Sequence, residues 1–150
     1  MIIWHAQERE TSCVAACIRM VLSDFGQQIA EKQISKALGN PLFGITLAEA
    51  QQRLERAGVS AAFHEDWGLT DLRDCLRAGF HPIVGLERRF FGHTDSSHAI
   101  VLLSVDSRFV GAFDPLGSSQ PETIKTETFE IAWNSAGHQI TLPTNRRIKS

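Results

Sequence analysis

The chain has 150 residues, of which 43% are hydrophobic and 21% are charged. A chain of this length and composition can bury roughly two-thirds of its unfolded surface in one core, so we interpret residues 1–150 as a single globular domain. The formal net charge of -2 comes from interspersed acidic and basic residues. This excludes the basic surface that would bind nucleic acid or an anionic membrane, and we expect neither partner.

The N-terminal residues do not have the pattern of a signal peptide, and no apolar run reaches the roughly 18 residues of a membrane span. We therefore expect a soluble cytoplasmic protein. The three cysteines are Cys13, Cys17 and Cys75, and an odd number leaves at least one thiol free. A domain of this size does not need a disulfide or a metal ion to fold.

Four helices are predicted in the first half of the chain. The first places Cys13 in its opening turn, because Thr11 or Ser12 can serve as the N-cap and apolar residues then recur with helical spacing. This helix is expected to end at Gly26. The other three are expected over residues 28–38, 46–57 and 70–78, the third helix opening with a capping-box pattern at Thr46.

Strands dominate the second half. Short runs rich in branched residues predict strands over residues 82–86, 99–105, 108–113 and 139–142, with a short helix over 128–133. Asp106-Ser107 suits a hairpin turn, residues 59–64 suit an edge strand, and the polar tail 145–150 is expected to be frayed. The predicted fold class is α+β, with an antiparallel sheet packed on helices.

Cys13 is the candidate nucleophile, because the unpaired N–H groups and the dipole at a helix N-terminus stabilise a thiolate. Cys17 and Cys75 lie among apolar residues, where burial favours the neutral thiol, and we interpret both as packing residues. Position alone does not distinguish a catalytic Cys13 from a small buried residue that begins a helix. A catalytic role needs a partner base.

His98 is the candidate base, since it joins a polar loop over residues 92–97 to the apolar strand that begins at Ala99. A side chain at such a junction is held by a rigid strand while it faces a cleft. A plain loop histidine is the alternative interpretation.

Asp114 is the candidate third group, which would orient the imidazole and stabilise its protonated form. If Asp106-Ser107 is a hairpin turn, the eight residues of 98–105 face the seven residues of 108–114. The side chains of His98 and Asp114 are therefore expected at the same end of the sheet. An ordinary Asp-Pro turn is the alternative interpretation.

These residues occur in a recognisable order. Gln7 precedes Cys13 by six positions, and Asp114-Pro115 follows His98 by sixteen. The pattern, from Gln7 to about Trp133, resembles the double-glycine leader peptidases that process bacteriocin precursors. The resemblance implies a papain-like cysteine peptidase fold, in which the nucleophile helix packs on an antiparallel sheet.

The resemblance carries four roles onto this sequence: Cys13 as nucleophile, His98 as general base, Asp114 as the group that orients the base, and Gln7 as an oxyanion donor. It implies a peptide or protein substrate, such as a leader peptide that ends in a small-residue pair like Gly-Gly. We expect no cofactor or metal ion, and an association with an exporter or another partner protein that this chain does not encode. The family further implies a closing segment in which Phe129 packs against Trp133.

Two positions depart from the family pattern. Ser12 stands where aspartate is common, and Val14 stands where glycine is common. Ser12 can cap the helix equally well, whereas Val14 changes the floor of the expected cleft.

Other functions use the same residues. An acyl transferase or an isopeptidase would need the same triad, and a non-catalytic peptide-binding domain could share the fold. A zinc site built from Cys13, Cys17 and His98 would lack a fourth protein ligand, and Cys17 is expected on the core face of its helix.

Overall fold

A computed structural model of the chain describes residues 1–93 and 97–144. The elements, in chain order, are α1 (Cys13–Asp24), α2 (Glu31–Ala37), α3 (Leu47–Arg56), β1 (Ala61–His64), α4 (Leu69–Arg77), β2 (Ile83–Glu87), a 3₁₀ turn (Arg88–Phe91), β3 (Ser97–Val105), β4 (Phe109–Phe113), β5 (Glu122–Lys125), α5 (Thr126–Ser135) and β6 (Ile140–Pro143). The predicted frayed tail, 145–150, lies outside the described residues. Among the described residues, no helix has the length and apolar character needed to cross a membrane.

The helices begin and end close to the predicted residues, with one exception. Helix α2 starts at Glu31 rather than near Gln28, because Ala30 is extended, with φ -68° and ψ 146°. The capping prediction for α3 is confirmed, since the Thr46 hydroxyl accepts a hydrogen bond of 3.1 Å from the Glu49 N–H.

The strands form one antiparallel sheet in the order β1-β6-β2-β3-β4-β5. The prediction of an edge strand near residues 59–64 is confirmed by β1. The sequence pattern does not anticipate β5, whose residues Glu-Thr-Ile-Lys are mostly exposed, or the 3₁₀ turn that comes after β2. Both border the candidate site.

The central strand β3 is covered on both faces, which explains its apolar run over residues 99–103. Ala99 and Val101 pack with α1, α2 and α3, whereas Ile100 and Leu102 pack with α4 and α5. The rings of Phe129 and Trp133 stack in the layer that contains α4 and α5, with centroids 5.5 Å apart. The N-terminal end of β3 lies beside the N-terminus of α1, and the candidate site forms between them.

Candidate active site

Cys13 is the first residue of α1 and is half-buried. An N–H at this position has no intrahelical acceptor, so the first turn can donate to groups outside the helix. Ser12 occupies the N-cap position, but its hydroxyl does not cap the helix. Instead it donates to the Arg9 carbonyl and accepts from the Arg9 N–H, each at 3.0 Å. The expectation that Ser12 caps this helix is therefore wrong, because the turn over residues 9–12 directs the hydroxyl backwards.

His98 is buried near the start of β3 and contacts both other members of the predicted triad. Its Nε2 lies 2.6 Å from Oδ1 of Asp114, a separation typical of a strong charge-assisted hydrogen bond. Since Nε2 is engaged by the carboxylate, Nδ1 is the nitrogen left for the thiol. The Cys13 side chain lies next to the His98 ring, and the two groups shift each other's pKa. The structure thus brings Cys13, His98 and Asp114 into one chain of contacts.

A β-bulge determines that His98 and Asp114 share a face of the sheet. Val105 pairs with Val110, but before the bulge at Leu103 the register shifts by one residue, so that Val101 pairs with Phe113. Continued pairing sets Asp114 opposite Ile100, whose side chain points to the same face as His98. Without the bulge Asp114 would face Val101 and lie on the other side of the sheet. The bulge fits the five residues of 101–105 against the four residues of 110–113. The predicted facing of 98–105 and 108–114 is shifted, because Val105 pairs with Val110 and not with Arg108.

The three groups perturb one another's pKa values. Burial raises the pKa of Cys13, but hydrogen bonds from His98 and from the N–H groups of Ala99 and Val14, with the charge on His98, lower it below the usual value overall. Burial lowers the pKa of His98, but hydrogen bonds to Asp114 and Cys13 and their charges raise it to about 9. These directions favour a thiolate beside an imidazolium.

Burial raises the pKa of Asp114, but the bond from His98 and a hydrogen bond of 2.8 Å from the Leu116 N–H hold it below its usual value. The carboxylate is therefore charged at neutral pH. It can hold a proton on Nε2 of His98 and leave the proton of Nδ1 free to move between the ring and a reacting group.

The side-chain amide of Gln7 is engaged by neighbouring main-chain carbonyls. Its Nε2 donates to the carbonyls of Arg9 and Glu10 at 2.8 Å and 3.1 Å. Its Oε1 is buried with no hydrogen-bond partner among the described residues. The main-chain N–H of Gln7 donates to the Pro115 carbonyl at 3.0 Å, so the segment before α1 is tied to the turn that carries Asp114. The oxyanion role of Gln7 stays a prediction that requires its amide to rotate.

Trp4 makes a second tie to the same turn and is not singled out by the sequence pattern. Its indole N–H donates to the main-chain carbonyl of Asp114 at 2.8 Å. The only sequence signal for it is the placement of an aromatic residue shortly before the nucleophile helix, which is too general to predict this contact.

The Cys13 thiol and the His98 ring open onto a cleft of about 720 Å³. Cys13 and His98 line it together with residues from the 43–49 segment, β2 and the loop after α5. Several of the lining residues are small: Gly44, Gly85, Ala99 and Ala136. An extended peptide chain can therefore approach the thiol closely along this cleft.

The other two cysteines lie outside the cleft. Burial raises the pKa of Cys17 well above its usual value and that of Cys75 to about 11. Both thiols are therefore neutral at physiological pH, in contrast to Cys13. Within residues 1–93 and 97–144, no group of three or more histidine, cysteine or carboxylate side chains is arranged to hold a metal ion.

The chain is similar to known proteins both in sequence and in fold. A sequence model described as the peptidase C39 family matches residues 2–145. The chain belongs to this family. It is a cysteine peptidase, and the resemblance to double-glycine leader peptidases is confirmed. No curated protein sequence shows significant similarity to it.

Solved structures of C39 peptidases share the fold. A C39-like peptidase from Bacillus anthracis superposes with a TM-score of 0.79 at 17% identity, covering 99% of this chain and 98% of that one. The peptidase domain of Streptococcus ComA, a bifunctional ABC transporter involved in a quorum-sensing pathway, gives 0.77 at 14% identity, covering 97% and 99%. A double-glycine-motif protease from an AMS/PCAT transporter, in complex with a leader peptide, gives 0.71 at 17% identity, covering 96% and 93%. The predicted fold class is confirmed.

Proposed function

We propose that this C39 peptidase hydrolyses a peptide bond through Cys13, His98 and Asp114, with Gln7 as an oxyanion donor. The observation that carries the proposal is the continuous chain of contacts from the thiol through the imidazole to the carboxylate, with the Nε2–Oδ1 separation of 2.6 Å. The lowered pKa values of Cys13 and Asp114 and the raised pKa of His98 favour the protonation states that these roles require.

The Cys13 thiolate attacks the carbonyl carbon of the scissile bond and forms a tetrahedral intermediate. His98 gives its Nδ1 proton to the leaving nitrogen, the C–N bond breaks, and an acyl thioester remains on the sulfur. His98, now neutral, takes a proton from water, and the resulting hydroxide equivalent attacks the thioester. Collapse of the second intermediate releases the acid and restores the thiolate-imidazolium pair, while Asp114 keeps its charge throughout.

The oxygen of each intermediate needs hydrogen-bond donors. The Cys13 N–H at the start of α1 is one candidate. Gln7 supplies the second when its amide turns one N–H away from the carbonyls of Arg9 and Glu10 towards the substrate. Exchanging two neutral carbonyl contacts for one contact to an oxyanion is favourable in the transition state, since charge-assisted hydrogen bonds are the stronger ones.

We propose that the substrate is a leader-type peptide cut after a pair of small residues such as Gly-Gly. The similarity to a double-glycine-motif protease and the small residues along the cleft support this specificity. We further propose that the chain acts as one peptidase domain in the reducing cytoplasm, where Cys13 stays a free thiol, and that it associates with an exporter. The second candidate, acyl transfer to an amine or isopeptide cleavage, uses the same acyl-enzyme.

The test uses fluorogenic peptides that carry Gly-Gly, Gly-Ala, Ala-Gly or Leu-Leu before the cut. We expect the small pairs to be cleaved, and mass spectrometry of products formed with and without added amines separates hydrolysis from acyl transfer. Cys13→Ala should abolish cleavage, and Cys75→Ala is the matched control. A brief iodoacetamide pulse should label Cys13 ahead of Cys17 and Cys75. Equal cleavage by Cys13→Ala, or preferential labelling of Cys75, would contradict the proposal.

A further inference from the structure

A second cleft, of about 340 Å³, lies beside the first. His98, Leu116 and Arg88 line both clefts, but Cys13 lines only the larger one. Asp114 lines only the smaller one. The imidazole therefore stands between the two spaces, with the thiol on one side and the carboxylate on the other.

The chemistry of the reaction indicates which part of the substrate would lie in each cleft. The acyl part of the substrate stays attached to the sulfur of Cys13, whereas the leaving peptide begins at the nitrogen that receives the proton of His98. The leaving peptide must therefore start beside the imidazole and continue away from the sulfur. A space that adjoins His98 and Asp114 but not Cys13 lies on that side of the scissile bond.

The lining of the smaller cleft is apolar at its base and polar at its rim. The base consists of buried side chains from three strands, and the walls add half-buried or exposed apolar groups: Leu86, Ile100 and Ala112, then Phe91, Leu116 and Ile124. Glu122 is exposed at the rim and lies against Gly117, where an added Cβ would come within 2.9 Å of Oε1 of Glu122. Such a space suits an aliphatic or aromatic side chain whose main chain stays at the polar rim.

We propose that the smaller cleft binds a bulky apolar side chain from the first two residues of the leaving peptide. The proposal rests on the proposed peptidase function and adds a second determinant of specificity. The larger cleft selects the residues before the cut, and the smaller cleft selects the residues after it. Leu116, which lines both clefts, separates the two sets of substrate side chains.

The first test compares substrates that share one acyl part and carry Gly, Ala, Leu or Phe after the cut. Burial of a leucine or phenylalanine side chain predicts acylation roughly 10- to 100-fold faster than with glycine. Hydrolysis of the common acyl-enzyme should be the same for all four, because the leaving peptide has gone. A flat acylation series would overturn the proposal.

Glu122→Trp tests the location, because an indole at the rim would fill the smaller cleft. The ratio of leucine to glycine acylation rates should fall towards one. Glu130→Trp places the same side chain on the exposed side of α5, outside the residues that line either cleft, and should keep the wild-type ratio. An unchanged ratio in Glu122→Trp, or an equal loss of both rates, would overturn the proposal.

A binding experiment separates this proposal from the peptidase proposal. With Cys13 blocked by iodoacetamide, the dipeptide amides of Leu-Gly and Gly-Gly mimic leaving products and need no catalysis. We expect the His98 ring signals in NMR titrations to shift with the leucine peptide at roughly tenfold lower concentration than with the glycine peptide. Selective binding without cleavage would refute the peptidase proposal alone, and equal or absent binding would refute the smaller cleft as the leaving-peptide site.

Discussion

Replacement of Asp114 by asparagine removes the charge that holds His98 in its protonated form. The rise in the pKa of His98 from 6.5 to about 9 corresponds to roughly 3 kcal/mol in favour of the imidazolium. Asp114 supplies more of that rise than Cys13 does, so we expect its loss to cost roughly 2 kcal/mol, a factor of about 30 in the thiolate-imidazolium population. An asparagine amide can also donate to Nε2, which moves the ring proton to Nδ1 and leaves no acceptor for the thiol proton. Together these effects predict a fall in kcat/KM of roughly 10²–10⁴.

The pH dependence has a definite sign. Because the folded pKa of His98 is raised, its contribution to stability is fully present below 6.5 and is lost as pH rises through about 9. Because the folded pKa of Cys13 is lowered, the thiolate persists below the pH at which a free thiol gains its proton. Wild-type activity should therefore decline on the alkaline side near pH 9. In Asp114→Asn that decline should begin at lower pH.

The measurements are kcat/KM and the iodoacetamide labelling rate of Cys13, both followed from mildly acidic to alkaline pH. We expect Asp114→Asn to keep part of the labelling while turnover falls further. Asp106→Asn is the matched control, since Asp106 also accepts main-chain hydrogen bonds in a turn, from Arg108 and Phe109, at the opposite end of β3. Wild-type turnover and an unshifted alkaline limb in folded Asp114→Asn would refute the reasoning and leave Asp114 as a turn residue.

Two further predictions concern the segment before α1. Gln7→Ala should lower kcat by roughly 10²–10³ with little change in substrate binding, in Cys13 labelling or in Tm, and Gln7→Glu should be at least as damaging, because a carboxylate would face the oxyanion. Normal single-turnover acylation in folded Gln7→Ala would remove Gln7 from the site. Trp4→Phe keeps an aromatic ring but removes the indole N–H that binds the Asp114 carbonyl. We expect turnover to fall severalfold and the alkaline decline in activity to shift to lower pH. The control Trp67→Phe should change neither quantity. A lower Tm with an unchanged pH profile would mean that Trp4 has only a structural role.

The sequence was sufficient to predict features that depend on local patterns. The apolar spacing after Cys13, the capping residue Thr46 and the hairpin at Asp106-Ser107 each predict an element that the structure contains, because local geometry decides them. The direction of the Ser12 hydroxyl could not be predicted in this way, because the turn over residues 9–12 determines it. The exposed strand β5 could not be predicted either, because it forms by pairing with β4 and its sequence has no apolar alternation.

Whether His98 and Asp114 lie on the same face of the sheet depends on the pairing of β3 with β4 several residues away from both. Counting residues along the hairpin indicates that His98 and Asp114 lie at the same end of the sheet. Whether their side chains lie on the same face depends on whether β3 contains one extra residue, as a bulge. The bulge accommodates it beside Gly111, which pairs with Ser104. A Cβ at Gly111 would come within 2.5 Å of the Ser104 hydroxyl, so a larger residue there requires the Ser104 side chain to turn away. Because the register of β3 and β4 places the carboxylate on the face of the imidazole, the bulge is a condition for the triad.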